Sequence, residues 1–151
     1  METTDSAESQ AIVRQVTAED AAALAGLIAE FNGPQGDARE TAARLAACEG
    51  QEAALIAWTP SGAAGFACLR LTQAIGSREP HALLTELYVR EAFRRQGIAQ
   101  LLVAEAERLA AEGGADALYL FTGQENGDAQ AFYTRLGYTS RSVVFQKPLT
   151  T

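Results

Sequence analysis

The stretch RRQGIA, residues 94–99, joins an apolar segment to a strongly helical one and has the residue types that a phosphate site requires. Main-chain N–H groups at a helix N-terminus have no intrahelical acceptor, and the helix dipole adds partial positive charge there. Gly97 and Ala99 leave room for a ligand to approach the backbone, and Arg94 and Arg95 supply charge-assisted hydrogen bonds. The turn therefore indicates a phosphate site, although an ordinary helix start with two solvated arginines would have the same residues.

An acidic residue, Glu86, interrupts the apolar segment HALLTELYV that precedes the turn. Burying a carboxylate is costly unless it is paired or hydrated, so Glu86 is a candidate general base, acting directly or through water. A carboxylate that pairs with an arginine or faces solvent explains the residue equally well. Strand alternation places Glu86 and Tyr88 on one face, and Leu87 and Val89 on the other. His81, the only histidine, is a second candidate base, although a histidine near a loop is more often a surface residue.

Hydrophobic periodicity and turn residues predict the elements that position these groups. The turn PSG predicts a hairpin between the second and third strands, and the strand–helix–strand unit before Thr122 predicts a right-handed parallel crossover. Thr17, with Asp20 three residues later, predicts a capping box at the first helix. Strands are predicted at residues 11–16, 53–59, 63–72, 81–89 and 116–122, helices at 18–31, 37–48, 97–112 and 129–136, and one or two further strands within 138–149.

The resulting order, β-α-α-β-β-β-α-β-α-β, indicates an α/β fold built on a mixed sheet with helices on both faces. A length of 151 residues predicts one domain, which we place over residues 11–151. Residues 1–10 are polar and acidic and lack the features of a secretory signal. We therefore expect them to form a loose, disordered tail.

The composition argues against several classes of function. The net charge is −7, whereas nucleic-acid binding needs clustered Lys and Arg, and a small cationic partner is more compatible with it. No apolar run is long enough to cross a bilayer, so no membrane partner is expected. Cys48 and Cys68 have neither metal-ligand nor redox spacing, and the single histidine argues against a metal site and a Ser–His–Asp triad. We expect two buried free thiols in a cytoplasmic protein.

Three motifs resemble the GNAT superfamily of acyl-CoA-dependent N-acetyltransferases, and together they cover residues 85–147. RRQGIA is similar to the R/Q-x-x-G-x-G/A signature, with Arg94, Gly97 and Ala99 at the specified positions and Ala in place of the commoner Gly at the last. TELYV, before the turn, is similar to the family's acidic-x-x-V strand end. NGDAQAFYTRLGY is similar to N-x-x-A-x-x-(L/F)-Y-x-x-x-G-(F/Y), and the matching residues are Asn126, Ala129, Phe132, Tyr133, Gly137 and Tyr138.

The resemblance implies a GNAT-like fold that binds acetyl-CoA. In that family the strand ending at Val89 and the next parallel strand start side by side and splay apart, and pantetheine pairs with the backbone of the first strand in the gap. The family often has a bulge in this strand, which would shift the parity of Glu86. The pyrophosphate rests on the amides of the turn. The implied cofactor-binding residues are Leu87, Tyr88, Val89, Arg94, Arg95, Gln96, Gly97, Ile98, Ala99, Asn126, Ala129 and Phe132.

The resemblance also implies direct transfer to an amine, without an acyl-enzyme. Tyr133 takes the family's tyrosine position and is the implied general acid for the departing thiolate, and its alternative role is that of a packed aromatic like Phe132. Glu86 is the candidate general base of the same reaction, and a main-chain N–H near Val89 is the implied oxyanion donor. Asn126 binds the pantetheine arm, caps the following helix, or does both.

We therefore expect an acetyl-CoA-dependent N-acetyltransferase that acts on a primary amine of a small molecule or peptide and needs no metal. The family implies a homodimer that forms through the C-terminal strands. The alternative is a non-catalytic acyl-CoA-binding module that keeps the fold without the chemistry. We expect the acceptor to bind against the first two helices and the loop at residues 73–80. Acidic residues on this surface would suit a cationic amine, although a solvated face explains each of them: Glu30, Asp37, Glu40 and Glu79.

Overall fold

Five strands form one mixed sheet in the computed structural model of the protein, which describes residues 11–150. The strands are β1 (Ile12–Gln15), β2 (Glu52–Thr59), β3 (Gly62–Thr72), β4 (His81–Val89) and β5 (Leu118–Leu120). They lie side by side in chain order, and every neighbouring pair is antiparallel except β4 and β5, which are parallel. The predicted hairpin between β2 and β3 and the predicted parallel pairing of β4 with β5 are confirmed.

Four helices accompany the sheet: α1 (Ala21–Asn32), α2 (Ala38–Ala47), α3 (Ile98–Glu112) and α4 (Gly127–Arg135). None of those within residues 11–150 is long and apolar enough to cross a membrane. Side chains of β3 alternate between the two faces of the sheet. Phe66 and Cys68 cluster with Leu24 of α1, whereas Leu69 clusters with Ala110 of α3 on the opposite face. The predicted mixed α/β architecture with helices on both faces is confirmed.

The chain divides into two compact units, of which one ends at Leu120 and the other begins at Phe121. The first unit holds the sheet together with α1, α2 and α3, and the second unit holds α4. A single domain over residues 11–151 therefore stays a prediction. The predicted tail at residues 1–10 lies outside the described residues.

The predicted final strand or strands within residues 138–149 are wrong, because no strand follows α4 in the described part of the chain. Val143, Val144 and Phe145 have a high intrinsic preference for strands. A strand also requires a ladder of hydrogen bonds to a neighbouring strand, and residues 139–150 form no such ladder with any part of residues 11–150. The last β of the predicted order is therefore missing, and the observed order ends at α4.

The approach to α1 depends on Asp20, whose side chain is only 10% exposed. Thr17 caps the 3-10 turn Ala18–Asp20 that leads into the helix. The Asp20 carboxylate accepts hydrogen bonds from the N–H (3.0 Å) and hydroxyl (3.3 Å) of Thr17, and Arg14 Nη1 lies 3.2 Å from it. The predicted capping box is confirmed. The hydrogen bond from the Thr17 N–H is the largest cause of the lowered pKa of Asp20. Burial raises this pKa, whereas Arg14 lowers it further.

We expect Asp20→Asn to lower the free energy of unfolding by about 1–2 kcal/mol at neutral pH, because an amide cannot replace the charged cap. The folded-state pKa of Asp20 lies below its ordinary value of 3.8, so the carboxylate stabilises the fold above that value. This stabilisation is lost as the pH falls through the folded-state pKa. Urea unfolding should therefore show the difference between the two proteins shrinking in acid. Glu19→Gln, at the exposed neighbouring position, is the control, and an equal loss in this variant would contradict the assignment.

Candidate active site

A bulge in β4 turns Glu86 toward the face of the sheet that carries α1 and α2. The register pairs Cys68 of β3 with Glu86 but Leu69 with Leu84, so Thr85 is an extra residue in β4. Without the extra residue, Leu84 and Glu86 would share a face. With it, Leu84 lies opposite Leu69 on the α3 side, whereas Glu86 lies opposite Cys68 on the α1 side. The family resemblance implied a bulge of this kind.

Glu86 lines a cavity of about 480 Å³, a volume that suits a small molecule. The side-chain Nδ2 of Asn32, the last residue of α1, donates a hydrogen bond of 2.8 Å to Glu86 Oε1. Ile28, Phe66 and Cys68 give the cavity an apolar floor. A second cavity of about 530 Å³ lies beside α2 and is lined by none of the predicted catalytic side chains. The Glu86 cavity is therefore the candidate site for an acceptor.

The thiol of Cys68 lies in the floor of this cavity and is buried. Burial raises the pKa of Cys68 far above its usual range, and the nearby carboxylates of Glu52 and Glu86 raise it further. The thiol therefore stays protonated at neutral pH, whereas the thiolate is the nucleophilic form of cysteine. Both cysteines are free, as predicted, but Cys48 is only half-buried, so the predicted burial holds for Cys68 alone. The cavity thus lacks an activated cysteine nucleophile.

The parallel strands β4 and β5 pair at one end only. Ala82, Leu83 and Leu84 lie opposite the three residues of β5. Beyond Leu84, β4 continues to Val89 with no ladder partner on this edge within residues 11–150. Unpaired main-chain groups along a strand edge are available to an extended ligand. The open edge of β4 that the family resemblance implied is therefore present in the first unit.

The alternation of the antiparallel ladder decides which main-chain groups face this open edge. The N–H of Arg90 donates a hydrogen bond of 2.8 Å to a β3 carbonyl. Main-chain groups of a strand alternate in direction, so those of Tyr88, two residues before Arg90, also point toward β3. The main-chain groups of Leu87 and Val89 therefore point away from β3. The Val89 carbonyl accepts a hydrogen bond of 2.9 Å from Arg94 Nε. The N–H groups of Leu87 and Val89 and the Leu87 carbonyl are therefore the groups that the edge offers.

Tyr88 has a structural role through its side chain. Its ring stacks on Phe31 of α1 with centroids 5.2 Å apart, and its hydroxyl donates a hydrogen bond of 3.0 Å to Glu30 Oε1. Burial, followed by Glu30, raises the pKa of Tyr88. Arg90 also pairs with Glu30 at 3.1 Å. These contacts attach the end of β4 to α1, and they occupy the Glu30 carboxylate that was expected to face a cationic acceptor.

Two other acidic residues of that expected surface cap α2. The N–H of Glu40 donates a hydrogen bond of 2.9 Å to Asp37 Oδ1, and the N–H of Asp37 donates one of 3.3 Å to Glu40 Oε1. This reciprocal pair is a capping box at the helix N-terminus. Glu79 is exposed in the loop before β4. Of the four carboxylates expected on the acceptor surface, only that of Glu79 forms no hydrogen bond or ion pair within residues 11–150.

The turn between β4 and α3 presents consecutive main-chain N–H groups without protein acceptors. Arg95 (φ +65°) and Gly97 (φ +80°) adopt left-handed conformations, which turn successive amides toward one side. The first hydrogen bond of α3 runs from the Leu101 N–H to the Gly97 carbonyl, at 3.1 Å. The N–H groups of residues 95–100 have no hydrogen-bond acceptor within residues 11–150. A Cβ added to Gly97 would meet no atom within 4 Å, so the space beside these donors is open.

The two arginines of the turn have different surroundings. Arg94 donates from Nε to the Val89 carbonyl, and its guanidinium carbon lies 5.9 Å from the centre of the Tyr88 ring. Arg95 is exposed, and a non-glycine residue at positive φ carries backbone strain of about 1–3 kcal/mol, which is typical of functional sites. Ile98 is buried and anchors the start of α3. Arg94 therefore shapes the turn, and Arg95 is the arginine available to a ligand.

The predicted residues of the third motif lie together in the second unit. Asn126 Oδ1 accepts a hydrogen bond of 3.1 Å from the Ala129 N–H, which confirms Asn126 as the cap of α4. Tyr133 lies on the second turn of α4, with its ring centre 5.1 Å from that of Phe132 and 5.6 Å from that of Tyr138. Burial raises the pKa of Tyr133, so its hydroxyl keeps its proton well above neutral pH.

The second candidate base, His81, lies at the opposite end of β4 from the turn. It is exposed, pairs with Thr72 of β3, and does not line the Glu86 cavity. It is five positions before Glu86, which corresponds to about 16 Å along a strand. The structure therefore brings Glu86, the open edge of β4 and the turn together, and leaves His81 apart from them.

Asn32 and Arg44 also line the Glu86 cavity, and neither of them belongs to a sequence motif that predicts a site. Asn32 precedes Gly33 at the end of α1, where a polar residue is an ordinary helix-stop signal. It lies 54 residues from Glu86 in the chain. No spacing rule links residues so far apart, so only the packing of α1 on the sheet reveals the contact.

Comparisons with known proteins agree with this geometry. The model of the acetyltransferase (GNAT) family matches residues 21–138 of the chain. No curated protein matched it. The aminoglycoside N-acetyltransferase AAC(6')-Iy, solved in complex with CoA, is 21% identical with a TM-score of 0.81, and the alignment covers 98% of this chain and 100% of that chain.

Two further solved structures have the same fold at similarly low identity. An aminoglycoside acetyltransferase from an uncultured soil metagenomic sample, solved with sisomicin, is 18% identical with a TM-score of 0.81, covering 93% of this chain and 96% of that chain. Ribosomal-protein-alanine N-acetyltransferase from Brucella melitensis biovar Abortus 2308 is 18% identical with a TM-score of 0.79, covering 92% and 99%. At these identities the likeness shows the fold alone.

The protonated state of Cys68 leads to a chemical prediction. In the folded protein at neutral pH, iodoacetamide should label Cys48 well before Cys68, because Cys68 is buried and has a raised pKa. Peptide mass spectrometry after a timed quench measures the two rates. Labelling in concentrated urea is the control and should remove the difference. Rapid labelling of Cys68 in the folded protein would show an accessible thiolate and reopen a covalent mechanism.

Proposed function

We propose that this chain, which belongs to the acetyltransferase (GNAT) family, transfers an acetyl group from acetyl-CoA directly to a primary amine of a small molecule or peptide. The observation that carries this proposal is the row of free main-chain donors at residues 95–100, which continues from the open edge of β4. A structural neighbour solved in complex with CoA supports the choice of cosubstrate. A cytoplasmic location belongs to the same proposal.

The residues of the first unit fit coenzyme A. The N–H groups of residues 95–100 and the Arg95 side chain would hold the pyrophosphate, and the open space beside Gly97 admits it. The amide groups of Leu87 and Val89 that point away from β3 would pair with the amides of the pantetheine arm. When bound, acetyl-CoA supplies a thioester, that is, an activated acyl carbon with a thiolate leaving group.

The second unit would contribute the remaining cofactor contacts. We propose that Asn126, Ala129 and Phe132 contact the pantetheine arm from α4, as the matching motif positions suggest. The capping bond uses Asn126 Oδ1, so its Nδ2 is the atom that would donate to the cofactor. Tyr88 contributes to cofactor binding only by holding β4 in place, because its amide faces β3 and its ring packs on α1.

Glu86 would act as the general base. Its Oε1 accepts the hydrogen bond from Asn32, which orients the carboxylate in the cavity. Its Oε2 accepts no hydrogen bond from residues 11–150, so this oxygen is the one that would take the proton from the acceptor amine, directly or through water. The acceptor would enter the cavity from the α1 side of β4.

Tyr133 and the edge of β4 would complete the chemistry. The main-chain N–H of Val89 would donate a hydrogen bond to the carbonyl oxygen as negative charge develops on it. The Tyr133 hydroxyl, which burial keeps protonated, would donate its proton to the departing sulfur. The protonated thiol of Cys68 supports direct transfer, because no other cysteine lines the cavity in the described part of the chain.

We also propose a homodimer. The described C-terminal residues include a run of exposed apolar side chains, and such surfaces mark protein–protein contacts. Contact of this segment with a second copy of the chain would cover these side chains. The exposed apolar side chains of this segment are Val143, Val144, Phe145 and Leu149.

We expect Tyr133→Phe to lower kcat by roughly 10²- to 10⁴-fold, because the variant lacks the hydroxyl that protonates the leaving group. Release of free thiol from acetyl-CoA measures turnover over a panel of amines, and calorimetry should show unchanged binding of coenzyme A. Tyr119→Phe, at an exposed position of β5, is the matched control and should keep full activity.

Unchanged turnover in Tyr133→Phe would remove this residue from the mechanism. Wild-type protein that binds coenzyme A but acetylates no amine in the panel would instead favour the alternative of a non-catalytic acyl-CoA-binding module.

We expect Arg95→Ala to weaken coenzyme A binding about three- to tenfold, because an exposed charge contact to phosphate contributes about 1 kcal/mol. The loss should shrink at high salt, which screens the contact. Isothermal calorimetry at two salt concentrations measures both effects. Arg78→Ala, which removes an exposed arginine from the loop before β4, is the control. Equal affinities for the Arg95 variant and wild type would contradict a pyrophosphate at this turn.

A further inference from the structure

The Glu86 cavity has one uncompensated charge of each sign, and this arrangement defines an acceptor class. We infer that the acceptor is a compact zwitterion with an apolar body, that is, a primary amine that carries a carboxylate in the same small molecule. This inference rests on the function proposed above. Its amine would lie at Glu86 and its carboxylate at Arg44, and both side chains line the cavity.

Four charged side chains line the cavity, and two of them neutralise each other. Arg70 and Glu52 are cross-strand partners in the β2–β3 register. Arg70 Nε and Nη2 both lie 3.0 Å from Glu52 Oε1. Opposite charges that face each other on neighbouring strands form a stable pair, so neither is free for a ligand. Glu86 and Arg44 are the two charged groups that remain.

Arg44 has no carboxylate partner within residues 11–150. Its Nη2 donates one hydrogen bond, of 3.5 Å, to the hydroxyl of Thr41. Thr41 is buried one turn earlier on α2, and its hydroxyl is a neutral partner that leaves the charge of Arg44 uncompensated. Asp37 and Glu40, the nearest acidic residues on the same helix, are engaged in its capping box. Arg44 therefore presents an unpaired cation on the cavity wall.

Glu86 is an anion in the same cavity that has no cationic partner within residues 11–150. Its described hydrogen-bond partner is the neutral amide of Asn32, and no arginine, lysine or histidine of residues 11–150 lies within ion-pair distance of it. A ligand that pairs with Glu86 must supply a cation, and one that pairs with Arg44 must supply an anion. A molecule that carries both satisfies both residues at once.

The apolar floor of the cavity and its unpaired charges further restrict the class of acceptor molecule. Ile28, Phe66 and Cys68 give the floor an apolar character, which suits an apolar side chain. A polycation such as an aminoglycoside would place positive groups near Arg44, and like charges at short distance are unfavourable. The volume of about 480 Å³ admits a small molecule. An L-amino acid with an apolar side chain meets each of these conditions.

Matched pairs of acceptors test the inference. The panel is L-leucine, L-methionine and L-phenylalanine, each compared with its carboxamide, together with 3-methylbutylamine and tobramycin. With coenzyme A bound, calorimetry should show that the best amino acid binds about three- to tenfold more tightly than its carboxamide, since a contact to an exposed charge contributes about 1 kcal/mol. With acetyl-CoA, the same preference should appear in KM and not in kcat.

Variants of Arg44 test whether its positive charge causes the preference for an amino acid over its carboxamide. Arg44→Gln should raise KM for the best amino acid about three- to tenfold while leaving KM for its carboxamide unchanged, so that the two become equal. Arg44→Lys should restore part of the preference. Arg39→Gln removes an exposed arginine of the same helix that does not line the cavity, and it should behave as wild type.

Three results would overturn the inference: binding of no amino acid in the panel, a preference for carboxamides or tobramycin, or an equal loss of both members of a pair in Arg44→Gln. These results differ from a failure of the proposed function, which would be the absence of acetylation of every amine while coenzyme A binds. Amino acids that bind selectively through Arg44 without being acetylated would support the acceptor class and refute the acetyl transfer.

Discussion

Main-chain hydrogen-bond donors without acceptors are the constraint on which this site depends. A folded chain normally pairs its N–H groups, yet residues 95–100 leave theirs open toward one side. The left-handed conformations of Arg95 and Gly97 produce this arrangement, and the helix that begins at Ile98 adds its dipole. The pairing of β4 with β5 ends at Leu84, so the following main-chain groups on this edge of β4 are also without partners within residues 11–150. An anion followed by an extended, amide-rich chain is the ligand that satisfies both regions.

One inserted residue connects this donor surface to the candidate base. Thr85 shifts the alternation of β4, so Ala82 and Leu84 lie on the α3 side, whereas Glu86 and Tyr88 lie on the α1 side. Glu86 consequently enters the cavity under α1, while the amides of Leu87 and Val89 remain at the open edge. The same short segment of strand thus supports two different ligands, the cofactor along its edge and the acceptor on its face.

Internal ion pairs decide which charges remain for an acceptor. The chain is acidic overall, with a net charge of −7, but the acidic residues near the cavity are largely engaged by the protein itself. Glu30 pairs with Arg90, and Glu52 pairs with Arg70. The charges left in the cavity are those of Glu86 and Arg44, so net charge alone is a poor guide to the acceptor.

The sequence by itself determined the features that depend on near neighbours in the chain: the bounds of β4, the turn at Gly97, and the caps formed by Thr17 with Asp20 and by Asn126. Their signals are local, because propensities and caps act within a few residues. Only the tertiary structure decided the bulge at Thr85, the contact of Asn32 with Glu86, and the missing ladder after α4. These depend on which distant segments meet, since a register, a long-range hydrogen bond and a strand pairing each require a partner that the local sequence does not specify.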